Sequence, residues 1–389
     1  MTYTRDEAVS SMLAGRVAAG DFPSAVYAAA ERGRVRFADA LGDAVREPER
    51  RAATVETIYD LASLTKPLVT GLLSALLIER GAFGLDDEVV RHLPEFRRGD
   101  KRSITVRQLL THTSGLAAWM PLYLETEGYP ARALEAVAAS PLAYAPGAHV
   151  LYSDLGFITL GLLLARLTRK SLAELAREEI FAPLGLRRTF FNPERAAQTG
   201  VAACESQGNA YERGMCGDRA DKFNWREGLI WGEVHDGNAH FLGGAAGHAG
   251  LFADAADTAQ LAAQFLAGQT QLLKPETCAL FRTNMTDGLT DFNDGARQAR
   301  SFAWQLAATE GSTAGPELAP NSFGHLGFTG TSCWLDPARE RVFVLLTNRT
   351  HARALPFVNI NSTRREFHAL AARALDHDAA TPRRGDAAT

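Results

Sequence analysis

A chain of 389 residues with 46% hydrophobic content can bury a large core, and its length fits two domains or one large two-part domain. With a net charge of -4 and 22% charged residues, nothing suggests nucleic acid or an anionic membrane as a partner. Cys204, Cys216, Cys278 and Cys333 have no C-x-x-C spacing, so they read as free thiols or small core residues, and nothing supports a disulfide.

Residues 1–20 carry acidic and polar side chains where a signal peptide needs an apolar stretch. The longest mainly apolar run, Phe157 to Ala165, is far short of a membrane span, so a full-length chain of this kind is expected in the cytoplasm. Thr4 and Glu7 form a capping-box pattern ahead of Val9, Met12, Leu13 and Val17, which predicts an N-terminal helix. Ala25–Ala30 and Val35–Leu41 flank Glu31-Arg32-Gly33-Arg34, a hairpin signal. From Ser63 the chain runs through Val69, Leu72, Leu73, Leu76 and Leu77 to Gly81, an apolar helical pattern with a glycine stop. Pro67 fits that helix only in its first turn, which puts Ser63 at or near its start. Thr105–Thr111 predicts another helix, followed by a loop at Ser114-Gly115, and Leu155–Thr168 and Leu172–Ile180 are helical by period.

Residues 190–245, rich in Gly, Asn and Asp, read as long irregular loops, which in a compact domain are more often functional than idle. Asp254–Ala267 returns to a helix. Phe302–Leu306, Gly327–Leu335 and Val342–Leu346 predict strands, with Asp336 to Arg341 as the turn between the last two. A final helix carries Phe367, Leu370, Ala371, Ala374 and Leu375 on one stripe, and the tail from about Asp378 is expected to be disordered. Strands and a helix at both chain ends assemble most simply into an antiparallel sheet flanked by terminal helices, with a helical insertion: an α/β or α+β arrangement.

Ser63-Leu64-Thr65-Lys66 is the one S-x-x-K of the chain. With 16 serines and five lysines, chance supplies roughly 0.2 such pairs. Nearly every other basic residue is arginine, which cannot give up its proton, whereas a lysine can be tuned to act as a base. Three residues apart on a helix, the two side chains share a face. The free N–H groups and dipole at the helix start favour negative charge beside the serine oxygen. The pair therefore points to a serine hydrolase served by lysine instead of histidine. An ordinary helix start, with a serine cap and a surface lysine, carries the same letters, so the rest of the chain has to decide.

Two further segments bear on it. Tyr152-Ser153-Asp154 precedes the apolar helix at Leu155, and His325-Leu326-Gly327 opens a strand expected to continue through Phe328-Thr329-Gly330-Thr331-Ser332. In this order the three segments resemble the boxes of the serine β-lactamase and penicillin-binding-protein superfamily. The likeness is strongest to its class C and esterase-type (family VIII carboxylesterase-like) branch, where the middle box begins with tyrosine. Leu109–Leu116 and Ala246–Phe252 look like that branch as well. The resemblance implies one β-lactamase-like catalytic domain over residues 5–375, its sheet part about 5–62 and 298–375 and its helical and loop part about 63–297. Residues 376–389 would then be a tail. It further implies that Ser63 is the acylated nucleophile and that Lys66 holds or takes its proton. Tyr152 would be general base and then acid to the leaving group, its pKa lowered by Lys66. The N–H groups of Ser63 and Phe328 would form the oxyanion hole. Asp154, His325, Leu326 and Gly327 would meet the substrate, and no cofactor or metal is called for.

Two departures from the family pattern matter. Asp154 stands where Asn is usual, and His325-Leu326 replace Lys-Thr. A neutral histidine gives no fixed charge for a substrate carboxylate, although it could become charged near pH 6.5, and Asp154 adds negative charge where Asn would donate to an amide. Both changes tilt the expectation from anionic amides toward small esters. The rival readings are a β-lactamase or a hydrolase of D-amino-acid peptides and, from another class, a catalytically weak binding protein that keeps the fold; joint retention of Ser63, Lys66 and Tyr152 argues against the last. Among other candidates, His112 reads as satisfying a backbone group and His248 as packing a loop near the site. His235 and His240 with Asp236 lack the helix spacing and third ligand of a metal site. Trp119, Trp225 and Trp231 either wall a pocket for an apolar acyl group or cover core. No G-x-S-x-G elbow is present.

Overall fold

The computed structural model describes residues 3–97 and 99–380. Its strands are β1 (Ser24–Glu31), β2 (Arg34–Val45), β3 (Arg51–Ala52), β4 (Tyr59–Asp60), β5 (Phe190–Phe191), β6 (Leu251–Ala253), β7 (Gln305–Leu306), β8 (Phe323–Leu326), β9 (Ser332–Asp336) and β10 (Arg341–Thr347). Seven make one antiparallel sheet in the order β3-β2-β1-β10-β9-β8-β7, and three make a small sheet in the order β4-β6-β5. The large sheet is thus sewn from both ends of the chain along the β1–β10 pairing, Ala25 opposite Thr347 through Glu31 opposite Arg341.

Both faces of β1 are buried, which explains its unbroken apolar run. Ala25, Tyr27 and Ala29 pack under the helices Glu7–Ala18 and Asn361–Ala380, against Leu13, Phe343 and Phe367. Val26, Ala28 and Ala30 alternate to the other face, which packs against the helical run ending at Glu79 and the helix Ala255–Ala262. The four cysteines are free and buried.

The α/β arrangement follows the sequence pattern, with local differences that have identifiable causes. The first helix is capped by Asp6, which accepts the Val9 N–H at 3.0 Å, and not by Thr4, whose carbonyl is drawn to the Ala38 N–H. Only Gln305–Leu306 of the expected strand Phe302–Leu306 pairs, because Ala303 turns the chain at φ +64°. The segment Gly327–Thr331 is a turn between β8 and β9, with Gly330 at φ +110°. The third box therefore ends a strand instead of opening one. The last helix runs on through Asp378 to Ala380, so residues 376–380 are not disordered; residues 381–389 lie outside the described residues.

Candidate active site

Ser63 follows a kinked piece of backbone. Ala62 sits at φ +48°, a left-handed conformation that costs a residue with a Cβ about 1 kcal/mol or more and persists only where neighbours enforce it. The enforcement is visible. Asp60 Oδ1 accepts the Ala62 N–H at 2.8 Å, Thr329 Oγ1 donates to the Asp60 carbonyl at 2.7 Å, and Thr331 Oγ1 donates to the Leu61 carbonyl at 3.0 Å. Beyond the kink the helix is wound in three ways: a 3-10 turn Ala62–Leu64, a π-helical stretch Lys66–Gly71, and the α-helix Leu72–Glu79. Such π stretches recur at functional sites, and Pro67 at its start has no N–H to strand.

Lys66 is completely buried beneath Ser63. Its ammonium has three hydrogens and three acceptors: Ser63 Oγ at 3.0 Å, Asp154 Oδ1 at 2.7 Å and the His248 carbonyl at 3.1 Å. Burial alone would pull its pKa down, but Asp154 and Tyr152 outweigh burial, and the pKa is raised. The Lys66 ammonium also lies 4.8 Å from the centre of the Tyr152 ring. It favours the phenolate, as the sequence suggests, yet burial is the larger effect and the Tyr152 pKa is raised as well. The resting centre therefore holds an ammonium and a phenol, and neither group is a free base at neutral pH.

Asp154 opens the helix Asp154–Thr168, capped by Ser153, whose Oγ accepts the Gly156 N–H. That start faces Lys66, so Asp154 gives an oxygen to the lysine besides lining the cavity. The turn carrying His248 can reach Lys66 because Gly247 has no side chain: a Cβ there would lie 2.0 Å from the Phe157 carbonyl. His248 Nε2 pairs with Asp236 Oδ1 at 2.9 Å. Asp154, Asp236 and His248 offer ligand atoms within 4.8 Å of one another, but Lys66 and the His–Asp pair already meet the charge there. Burial works against ionised Asp236, and its contacts with His248, the Ala239 N–H and Lys66 more than offset this, so its pKa lies well below the usual carboxylate range.

The second wall is the Gly327–Thr331 turn. The Arg364 guanidinium donates to the carbonyls of Gly327 at 2.7 Å and Thr331 at 2.9 Å, and Arg349 donates to the Phe328 carbonyl at 2.7 Å. In a trans peptide the N–H points opposite the preceding C=O. Arg364, by holding the Gly327 carbonyl, thus turns the Phe328 N–H the other way. Neither this N–H nor that of Ser63 is spent on a hydrogen bond among the described residues. Gly327 is required for the close approach, since a Cβ would lie 2.5 Å from the Leu61 carbonyl.

Ser63, Tyr152, Asp154, His325, Leu326, Gly327 and Phe328 all line one cavity of about 730 Å³. His325 departs from expectation. It is only 4% exposed, its Nδ1–H donates to the Leu326 carbonyl at 2.9 Å, and burial, Lys66 and Arg300 hold its pKa well below the ordinary histidine value. It stays neutral across the physiological range, so no charging near pH 6.5 is available. His112 does satisfy a backbone group, accepting the Ser153 N–H at Nδ1, and its ring lies 4.6 Å from that of Tyr152. His235 and His240 go to different carboxylates, Glu205 and Glu233. Of the three tryptophans only Trp119 lines the cavity; Trp225 and Trp231 tie down the carbonyls of Ala220 and Val201.

Several cavity residues carry no motif. Arg300, Glu212, Asp236, Arg349 and Arg364 line it from loops and helices far apart in sequence. Burial and Asp236 push the Glu212 carboxyl up to about 8. The one sequence signal that touches them is the irregularity of residues 190–245, which contribute Glu212 and Asp236.

A family model described as Beta-lactamase matches residues 9–361. The chain is 32% identical over 325 residues, 77% of its length, to a protein of Escherichia coli (strain K12) named as a D-alanyl-D-alanine carboxypeptidase, covering 71% of that protein. Among solved structures it resembles EstCE1, a hydrolase with promiscuous acyltransferase activity, with a TM-score of 0.71 at 24% identity over 92% of this chain and 97% of that one. It also resembles a class C beta lactamase from Rhodobacter sphaeroides, with a TM-score of 0.70 at 19% identity over 95% and 100% of the two chains. At those identities the structural likeness establishes the fold.

Proposed function

Since the chain belongs to the beta-lactamase family of serine hydrolases, we propose that it hydrolyses small esters or related acyl compounds through an acyl-enzyme on Ser63. The observation that carries this reading is the Lys66 ammonium, buried under the cavity and 3.0 Å from Ser63 Oγ. The Lys66–Tyr152 pair first loses one proton to solvent. Ser63 Oγ then attacks the acyl carbon while its proton passes to the Tyr152 oxygen, with Lys66 neutralising the charge beside both. The Ser63 and Phe328 N–H groups hold the tetrahedral oxyanion. As it collapses, the bond to the leaving oxygen breaks and Tyr152 protonates that oxygen. Water repeats the sequence on the acyl-enzyme, and Ser63 leaves with its proton.

A neutral His325 and an Asp154 turned to Lys66 both favour uncharged esters over anionic amides. Short-chain p-nitrophenyl esters are therefore expected to give a higher kcat/KM at neutral pH than penicillins, nitrocefin or D-Ala-D-Ala peptides. Intact mass spectrometry after a fluorophosphonate, and separately after a penicillin, shows which acyl donor is accepted and, with peptide mapping, on which serine. A clear win for a β-lactam or the peptide would select the second reading, a peptide or β-lactam hydrolase, which the named activity of the E. coli relative favours.

Asp154 raises the pKa of both Lys66 and Tyr152, and the centre must shed one proton to activate Ser63. Activity should thus rise with pH, and Asp154→Asn should move that rise to lower pH by roughly one unit or more. The pH dependence of kcat/KM between pH 5.5 and 10, with Tm as a check on folding, measures it; an unmoved limb would remove Asp154 from control of the proton.

A further inference from the structure

We propose that Tyr211, Phe328 and Phe357 form a subsite for an aryl group on the acyl side of the ester, which makes arylacetyl esters the preferred substrate class; this rests on the acyl-enzyme chemistry proposed above. The three rings come from segments far apart in sequence and meet at the cavity that Ser63 lines. The ring centres of Tyr211 and Phe328 are 4.9 Å apart, those of Tyr211 and Phe357 5.7 Å, and those of Phe328 and Phe357 5.9 Å. All three residues are half-buried, yet among the described residues none belongs to a hydrophobic core cluster or packs against one. Rings kept for stability cover core, whereas these meet one another at the cavity wall. Met215, 49% exposed and one turn on from Tyr211 in the helix Ala210–Met215, lines the cavity too. Apolar surface gathered in a concavity is the ordinary mark of a ligand site.

Polar groups beside the rings are turned to protein partners. His235, stacked on Phe328 at 5.6 Å, is bonded to Glu205, and Arg349, whose Cζ lies 5.0 Å from the Phe328 ring centre, donates to the carbonyls of Phe328 and Val358. The Glu212 carboxyl accepts from the Tyr123 hydroxyl and the Gly237 N–H. Which part of a substrate meets the rings follows from the tetrahedral carbon. One of its bonds goes to Ser63 Oγ, one to the oxyanion between the Ser63 and Phe328 amides, and one to the leaving oxygen beside Tyr152. Tyr152 is surrounded by Lys66, His112, His325 and Arg300, and none of these four is among the ring contacts of Phe328. The rings therefore stand away from the leaving group, where the fourth bond carries the acyl chain. A cavity of about 730 Å³ far exceeds an acetyl group and leaves room for an aryl one.

The test uses two isomers, methyl phenylacetate and benzyl acetate, which carry the same phenyl ring on the acyl and on the alcohol side. Both are measured in wild type, Tyr211→Ala, Tyr211→Phe and Phe357→Ala. Each alanine variant should lower kcat/KM for methyl phenylacetate about tenfold or more and that for benzyl acetate much less. Tyr211→Phe should keep the wild-type preference, because the ring and not the hydroxyl makes the contact. Since the rings cover no core, Tm should stay near that of wild type. Equal losses for the two isomers, no loss for either, or a larger loss for benzyl acetate each overturn the subsite. A ligand-detected NMR titration of methyl phenylacetate against Ser63→Ala, with and without Tyr211→Ala, reads the subsite without chemistry. Binding weakened by the second substitution supports the subsite even if the parent turns over neither isomer, an outcome that would sink the hydrolase reading instead. Binding that ignores Tyr211→Ala overturns the subsite and leaves hydrolysis standing.

Discussion

Ser63→Ala is expected to abolish covalent labelling by a fluorophosphonate and to lower ester turnover by a factor of about 10⁴ or more, the scale on which loss of a nucleophile is felt. The fold should survive. Ser63 Oγ accepts a hydrogen bond from Lys66, whose ammonium keeps Asp154 and the His248 carbonyl without it. The kink at Ala62 is held by Asp60, Thr329 and Thr331, not by the serine hydroxyl. A Tm close to wild type with no labelled peptide is the expected pair of results. A label that persists in the variant, mapped to another of the 16 serines, would overturn the assignment.

Lys66→Arg should be nearly as damaging as Lys66→Ala, each costing about 10³-fold or more in kcat/KM. The arginine keeps the charge but cannot share with Tyr152 the proton that the pair must give up. Its fork must also enter a slot with no exposed surface, shaped around one nitrogen with three acceptors, and overpacking of this kind costs about 1–3 kcal/mol. The alanine variant leaves Asp154 without its cation. Measuring kcat/KM, the fluorophosphonate inactivation rate and Tm together separates lost chemistry from lost stability. An arginine variant retaining more than about a tenth of wild-type turnover would show that Lys66 supplies charge alone.

What the sequence could reveal of this site depends on how local each feature is. Ser63 and Lys66 share one turn of helix, and Tyr152 stands just ahead of a strongly apolar helix, so spacing and period expose them. Arg300, Asp236 and Arg364 acquire their surroundings only when distant segments pack, and a lone arginine in a polar stretch announces nothing. The third box was legible as letters but not as shape. Phe328-Thr329-Gly330-Thr331-Ser332 has the β-branched and aromatic content of a strand, while its residues up to Thr331 form a turn whose threonines serve Asp60 and Leu61. His325 shows the same limit: its residue type suggests a pH-sensitive charge, and its burial against two cations removes it.

The β1–β10 pairing joins residues more than 300 positions apart, and it bears on the order in which a ribosome delivers the machinery. Ser63, Lys66 and Tyr152 emerge early. Phe328, the two threonines that help to hold the kink ahead of Ser63, and Arg364, which orients the Phe328 amide, all come much later. A nascent chain that has made Ser63 therefore lacks the Phe328 amide and, of the contacts that hold Ala62 in its left-handed conformation, has only that of Asp60. On the proposed chemistry, competence arrives with closure of the sheet, so an incomplete chain exposes a serine that is still an ordinary alcohol.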